Sequence, residues 1–376
     1  MIKGDGILLK RKIKVGLLFG GQSVEHEISI LSARNIYDAI DKEKYEVVLI
    51  GIDKSGGWHF SNDRIFLEGN EPSRLKAFVE ESDQLALVPG QRADIFLQLS
   101  NRKKQKLLDV VFPILHGTHG EDGTVQGFLK LAGIPFVGAG VLGSAIGMDK
   151  DVTKRLLRDA GVPTPHFRVF RRIDIDSIHP DQIIAEFGLP FFIKPANLGS
   201  SVGVSKIKKI EEFRPALEKA FQYDNKVLLE EYISGREIEC SVLGNEQPIA
   251  SLPGEIKPQH EFYSYEAKYL DENGAFLEIP ANLSSVLIQK VQDTAIQAFQ
   301  VLEAEGMARV DFFLRNEEEL FVNEINTIPG FTRISMYPKL WEASGLSYTE
   351  LIDRLIELAL ERAERDKRLK TSYEEL

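Results

Sequence analysis

The chain has one cysteine, Cys240, in 376 residues. A single thiol cannot build a disulfide framework, and so sparse a use of cysteine is expected of a reducing compartment, the cytoplasm. Excess positive charge is also missing: 46 Lys and Arg stand against 57 Asp and Glu, a formal net charge of −11. A nucleic-acid binder needs the opposite balance to neutralise phosphates, so no nucleic-acid partner is expected. No apolar run is long enough to span a bilayer. The short stretch from Gly6 to Leu9, near the basic start, is too short even for a signal-peptide core, so no membrane partner is expected either. Repeats and low-complexity segments are absent. So is any GxxxxGK[ST] pattern, and use of ATP would therefore have to rest on an architecture other than the P-loop.

What is present is the composition of a soluble globular protein, 43% hydrophobic and 27% charged, in a chain too long for one ordinary core. Ile13 to Phe19 is a largely apolar run entering Gly20-Gly21 and reads as a buried parallel strand. A helical stretch from about Ser29, a strand from Tyr45 to Ile52, and a strand from Val110 to Leu115 followed by an amphipathic helix continue the pattern. Strands alternating with helices predict an α/β fold with an N-terminal doubly wound parallel sheet. Residues 54 to 106 are polar and irregular and carry no motif. Beyond Pro135 come a charged helix over Asp149 to Ala160 and short strands at Leu189–Pro195, Val202–Ile207, Lys226–Tyr232 and Arg236–Leu243. A long helix over Ser284–Glu303, strands at Met307–Leu314 and Glu319–Asn326, and a surface helix over Thr349–Lys370 complete the reading. Domain edges are expected near 145 and 255, giving domains 1–145, 146–255 and 256–376.

Two motifs mislead. GAGVLG, from Gly138 to Gly143, matches the dinucleotide fingerprint GxGxxG, but it does not follow the first strand, and the next helix is expected to start only further on, in SAIGMDKD. GSSVG, from Gly199 to Gly203, matches the nucleophile elbow of serine hydrolases. That elbow needs a helix directly after the serine, whereas VSKIKKI alternates like a strand, and the only later histidine is His260.

The residues that carry chemistry lie on two strands. Side chains two apart share a strand face, so Arg309 lies beside Asp311, and Glu324 beside Asn326. If the strands are neighbours, three oxygen donors converge next to one guanidinium, a set suited to Mg²⁺, which also takes phosphate oxygens and water. Val310, Phe312, Phe321 and Ile325 are expected to supply the opposite, core face. The glycine-rich ANLGSSVGVSK, between strands, can fold backbone N–H groups over phosphates, with Lys194 before it and Lys150 further upstream as cationic contacts. LLEEYISGREIE, from Leu228 to Glu239, reads as a strand, a turn and a strand. Its edge could meet an adenine, with Glu237 available to ribose hydroxyls.

Together these pieces resemble the ATP-grasp superfamily and, within it, the D-alanine–D-alanine ligase family. The resemblance runs from GGQSVEHEIS (Gly20 to Ser29) to FTRISMYPKLW (Phe331 to Trp341). Between them lie HGTHGEDGTVQG, MDK, IKPANLGSSVGVSK, EEYISGRE, YSYEAKY, RVDFF and NEINTIPGFTRIS, in order. It implies a two-lobed ATP-grasp domain after the first sheet, ATP as co-substrate, and two Mg²⁺ ions (Mn²⁺ being an expected substitute) on Asp311, Glu324 and Asn326. D-Alanine is the implied substrate, and a homodimer is implied by analogy. By the same resemblance Glu25 would hold the first D-alanine's ammonium, tied to Ser200 and Tyr269, and His116 would lie near its carboxylate. Lys150, Lys194 and Lys268 would contact phosphates, with Ser200, Ser201 and Asn323 also assigned to ATP. Backbone groups at Glu231 and Ile233, with Glu230, would receive adenine, and Glu237 the ribose. Arg309 and the Gly330 N–H would stabilise charge on the attacked carbonyl, and Ser335 and the Met336 N–H would grip the second D-alanine's carboxylate. Tyr263 to Gly274 is expected to be a lid. The implied reaction passes through an acyl phosphate. Rivals are a ligase forming a D-alanine ester with D-lactate, another ATP-grasp carboxylate–amine ligase and, from a different class, a nucleotide sensor without catalysis.

Overall fold

A computed structural model of the chain describes residues 11–61, 84–87, 96–98, 104–105, 108–258 and 275–370. The first sheet combines β1 (Ile13–Gly20), β2 (Tyr45–Ile52), β3 (Trp58–Ser61) and, after a small sheet of β4 (Leu85–Leu87), β5 (Phe96–Gln98) and β6 (Lys104–Gln105), the strand β7 (Val110–Pro113). Their order is β3-β2-β1-β7, with β1 parallel to both β2 and β7. Alternation along β1 serves both faces. Val15, Leu17 and Phe19 pack with Ile30, Ala33 and Ile36 of α1 (His26–Ala39), whereas Leu18 packs with Val125 and Leu129 of α2 (Thr124–Leu131). The predicted doubly wound sheet is therefore present.

Further along come α3 (Val141–Met148), α4 (Lys150–Asp159) and then a second sheet. It is built from β8 (Phe167–Arg171), β9 (Phe191–Pro195), β10 (Ser205–Ile207) and β11 (Lys226–Glu231), in the order β10-β9-β11-β8 and antiparallel. Helices α5 (Pro180–Phe187) and α6 (Phe213–Tyr223) cover one face of it, where Phe191, Ile193, Val227 and Leu229 meet Ile183, Phe213, Leu217 and Phe221. Lys194 and Glu230 alternate to the other face.

The third sheet contains β12 (Arg236–Gly244), β13 (Ile249–Ala250), β14 (Gly254–Pro258), β15 (Ala275–Glu278), β16 (Gly306–Arg315) and β17 (Glu319–Asn326). Its order is β15-β14-β12-β16-β17, with β13 beside β12. Helix α7 (Ser285–Val301) packs on it through Val291, Ala295, Ala298 and Phe299. The chain finishes with α8 (Met336–Ala343) and α9 (Tyr348–Asp366). Among the described residues no helix is long and apolar enough to cross a membrane.

Three expectations need correction. The C-terminal segment is more than a surface helix: α9 buries Leu351, Ile352, Leu355, Ile356 and Leu358 against the first sheet and α1, because those positions recur with the helical period. Farther along α9, Arg362 donates to the carbonyls of Phe136 and Gly138 at 2.6 Å each. Phe321 is half-exposed rather than core, beneath the Arg315 guanidinium, and Val322 takes the buried place. The cause is a β-bulge described below. Finally, α3 begins at Val141, inside GAGVLG, rather than further on.

The last point gives the glycines of that motif a packing reason. A Cβ on Gly143 would lie 2.2 Å from the Glu303 carbonyl oxygen, so α3 can approach the end of α7 only without a side chain there. Gly143→Ala should therefore lower unfolding stability by about 1–3 kcal/mol in urea titration, the usual cost of overpacking, with nucleotide affinity of the folded fraction unchanged. Wild-type stability would remove the packing explanation.

Candidate active site

In the third sheet β16 and β17 are antiparallel neighbours, with Arg309 opposite Asn326 and Asp311 opposite Glu324. The next pair is Phe312 with Val322, so Asn323 is an extra residue on β17. Were Asn323 an ordinary ladder residue, Glu324 would share a face with the buried Leu320 and Val322. The bulge shifts the alternation by one, sends Ile325 into the core and turns Glu324 and Asn326 to the face of Arg309 and Asp311. On the other side of β16, Asp311 pairs with Glu239 of β12. Three carboxylates thus stand in a row across three strands.

Arg309 sits among them. Its Nε and Nη2 donate to the two Asp311 oxygens at 2.7 Å each, and Nε lies 2.9 Å from Glu239 Oε2. Lys150, at the N-terminus of α4, donates to the Leu198 carbonyl at 2.6 Å and lies 3.5 Å from Glu324. The donor set of Asp311, Glu324 and Asn326 is entirely hard oxygen. These residues fit a divalent cation of the Mg²⁺ type.

A cleft of about 380 Å³ opens over this row. Its floor carries Arg309, Glu239, Glu324 and Asn326, and its far wall is Glu25, His116 and Glu121 from the first sheet's loops. Glu25 is buried at the N-terminus of α1 and accepts a hydrogen bond from the Ser200 hydroxyl. Ser200 and Ser201 both have positive φ, +52° and +58°, a conformation rare for residues with side chains. This strained turn brings the loop over Glu25. On the opposite side Gly117 gives way: a Cβ there would lie 2.9 Å from Glu25 Oε2.

His116 is buried between Ser32 and the Ile328 carbonyl. Nδ1 must donate to that carbonyl, at 3.1 Å. Ser32 Oγ accepts from the Phe331 N–H and so turns its own proton to Nε2. The imidazole is thereby fixed as the neutral Nδ1–H tautomer, and burial pushes its pKa below the ordinary histidine value, against the pull of Glu25. At the other end of the cleft Ser335 stands at the N-terminus of α8, its Oγ accepting from the Thr332 N–H at 3.0 Å rather than from the helix, with Gly330 and Met336 beside it. The N-terminus of α8 thus faces the cleft, a placement that favours an anion.

The second sheet adds the remaining candidates. Lys194 of β9 donates to Glu230 of β11, which is also paired with Lys154 of α4 at 2.8 Å. The Glu231 N–H is engaged by the His166 carbonyl at 3.0 Å, while Ile233 and Glu237 flank the turn into β12. Lys268, Tyr269 and the expected lid lie outside the described residues.

Glu121 and Glu239 were not singled out from the sequence. Glu121 lies inside HGTHGEDG, where a carboxylate among glycines reads as solvated. Glu239 becomes significant only once β12 and β16 are known to be neighbours.

A family profile described as D-ala D-ala ligase N-terminus matches residues 14–139, and another described as D-ala D-ala ligase C-terminus matches residues 156–357. The chain is 56% identical over 361 residues to the D-alanine–D-alanine ligase of Oceanobacillus iheyensis, covering 96% of this chain and 99% of that one. With D-alanine–D-alanine ligase A of Escherichia coli K12 the identity is 52% over 362 residues, with 96% and 99% coverage. Among solved structures, the D-alanine-D-alanine ligase from Coxiella burnetii superposes with a TM-score of 0.85 at 40% identity, covering 96% of this chain and 97% of that chain. The VanG D-Ala:D-Ser ligase from Enterococcus faecalis gives 0.81 at 35% identity, with 93% and 100% coverage.

Burial, with Glu25 and Glu324 nearby, pushes the Glu121 carboxyl well above its ordinary 4.5, against the opposing Gly117 N–H and Lys150. An acid whose folded pKa is raised holds its proton more tightly folded than unfolded, so folding stability falls as pH climbs from the unfolded value through the folded one. Glu121→Gln has no such proton to lose. Urea titrations at about pH 5 and about pH 8 should show the wild type losing ground to the variant as pH rises. Parallel pH profiles would refute the buried, protonated Glu121.

Proposed function

This chain belongs to the D-alanine–D-alanine ligase family, and from that premise we propose that it joins two D-alanine molecules at the expense of ATP, through an acyl phosphate. The observation that carries the reading is the convergence, on one cleft, of a buried acid with its serine partner, an arginine between carboxylates, and a helix N-terminus.

Glu25, held by Ser200, takes the ammonium of the first D-alanine, and neutral His116 stands near its carboxylate. Lys150, Lys194 and Lys268 steady the phosphates, with Ser201 and Asn323 also in contact with ATP. Adenine meets Glu230, Glu231 and Ile233, and ribose meets Glu237. Asp311, Glu324 and Asn326 would hold two Mg²⁺ ions, with Mn²⁺ as a substitute. When bound, the metal supplies charge neutralisation to the phosphates. The first D-alanine's carboxylate oxygen attacks the γ-phosphorus, and ADP leaves. The second D-alanine, its carboxylate at Ser335 and the Met336 N–H, attacks the acyl carbon with its amine, and phosphate leaves. Arg309 and the Gly330 N–H stabilise the oxyanion, where one lost donor costs roughly 10²–10³ in rate. Tyr269 closes the chain of hydrogen bonds over the first substrate. We place the reaction in the cytoplasm, expect a homodimer by analogy with the family, and set the domain edges at 145 and 255.

Release of phosphate from ATP that depends on D-alanine, with D-alanyl-D-alanine as product, is the expected result, and no turnover with D-alanine would overturn the reading. Glu324→Gln should abolish turnover at ordinary Mg²⁺ in a folded protein. Activity near wild type in that variant would sink the metal assignment.

The second substrate is an amine rather than a hydroxy acid. An α-amine must lose its proton to attack, so dipeptide formation should gain on ester formation as pH rises toward about 8. Competition of D-alanine with D-lactate from roughly pH 6 to about 9 reads this, and predominant ester at every pH would exclude the amine.

A further inference from the structure

Between α4 and the second sheet two ammonium groups share one carboxylate. Glu230 is 1% exposed and takes Lys194 on Oε1 and Lys154, at 2.8 Å, on Oε2. The two lysines are not equivalent. Lys154 projects from the inner face of α4 and is 1% exposed. Lys194 stands on β9 directly before the glycine-rich loop, and its side chain keeps 11% exposure. A single buried carboxylate needs one cation for neutrality, so one of this pair is surplus.

We infer that Lys154 is a positioning residue for nucleotide binding: it neutralises Glu230 permanently, so that Lys194 can leave that carboxylate for a phosphate of the nucleotide. This rests on the reading of Lys194 as a phosphate contact. Without Lys154, Glu230 would have Lys194 as its remaining cation and would hold it. Any phosphate would then compete with a buried ion pair for the same ammonium, because an unpaired buried carboxylate is strongly disfavoured. Burial lowers the Lys154 pKa while Glu230 raises it again, and the same two lysines hold Glu230 low against its own burial. The shared carboxylate is therefore the point through which α4 acts on β9.

The readout is the phosphate increment, the ratio of ADP affinity to adenosine affinity, measured by calorimetry on the full chain with Mg²⁺. Lys194→Met should shrink the increment about tenfold or more, the scale of one charge-assisted hydrogen bond. Lys154→Met should shrink it comparably although it touches no ligand, with adenosine affinity held. Glu230→Gln in the Lys154→Met background should restore it, since the competing anion is gone, whereas a purely structural loss would not be rescued. If Lys154→Met does not fold, Glu230→Gln alone reads the same coupling: the increment must hold or grow, and a smaller increment would overturn the inference. An unchanged increment in Lys194→Met would defeat the phosphate reading of Lys194 and this inference with it. A reduced increment there, with Lys154→Met unchanged or unrescued, would defeat the inference alone.

Discussion

One additional residue in β17 decides which groups reach the cleft. Leu320 and Val322 are buried, and strict alternation would bury Glu324 next. A carboxylate in that position would face Val310 and Phe312, with no cation at hand and no water to hydrate it. Asn323 instead stands unpaired in the ladder, and every side chain after it changes face. The register cannot slide to avoid this, because a one-residue slip would expose Ile325 and bury both Glu324 and Asn326. The place of Glu324 in the row Glu239–Asp311–Glu324 and the approach of Lys150 to it follow from that bulge, while β12 and β16 alone set the bracing of Arg309.

The cost of collecting carboxylates in one place is repulsion, and the structure distributes it in two ways. Asp311 and Glu239 share one counterion, because the Arg309 guanidinium lies against both. Glu121, with Glu25 and Glu324 within electrostatic reach and its own hydration removed, is driven to hold its proton. At the second sheet the imbalance is reversed, with two ammoniums on Glu230.

Much of the frame was legible because its strands announce themselves as apolar runs. β2 and β17 begin and end where periodicity put them, and β1 and β16 within a residue. Arg309, Asp311, Glu324 and Asn326 could be grouped from spacing alone, yet the grouping came out right for an incomplete reason. Counting by twos within β17 gave Glu324 and Asn326 one face but also placed Phe321 in the core, and a bulge leaves no trace in such a count. Lys154 was hidden by its company: in KDVTKRLLRD it looks like one more charge on a solvated helix, and only the fold puts it against Glu230. Glu25, Ser200 and His116 are far apart in sequence, and their roles came from family resemblance rather than from any pattern of polarity.

The three sheets do not contribute to the cleft on equal terms. Val15 and Phe19 of β1, Met307 of β16, Phe331, Tyr337 and the inner face of α9 belong to one continuous core, so the first and third sheets are packed as a single body. His116 donating to Ile328, Asn35 to Phe331 and Arg362 to Gly138 tie the same two parts by hydrogen bonds across more than two hundred residues of sequence. The second sheet has its own core under α5 and α6 and meets Glu25 through the Ser200 hydroxyl. Positioning of amino-acid substrates therefore depends on the rigid pair, where misplacement by an ångström would be costly. The second sheet is joined to that body by α4, whose Leu157 lies in the third sheet's core while its Lys154 pairs with Glu230, and by the strained Ser200–Ser201 turn over Glu25.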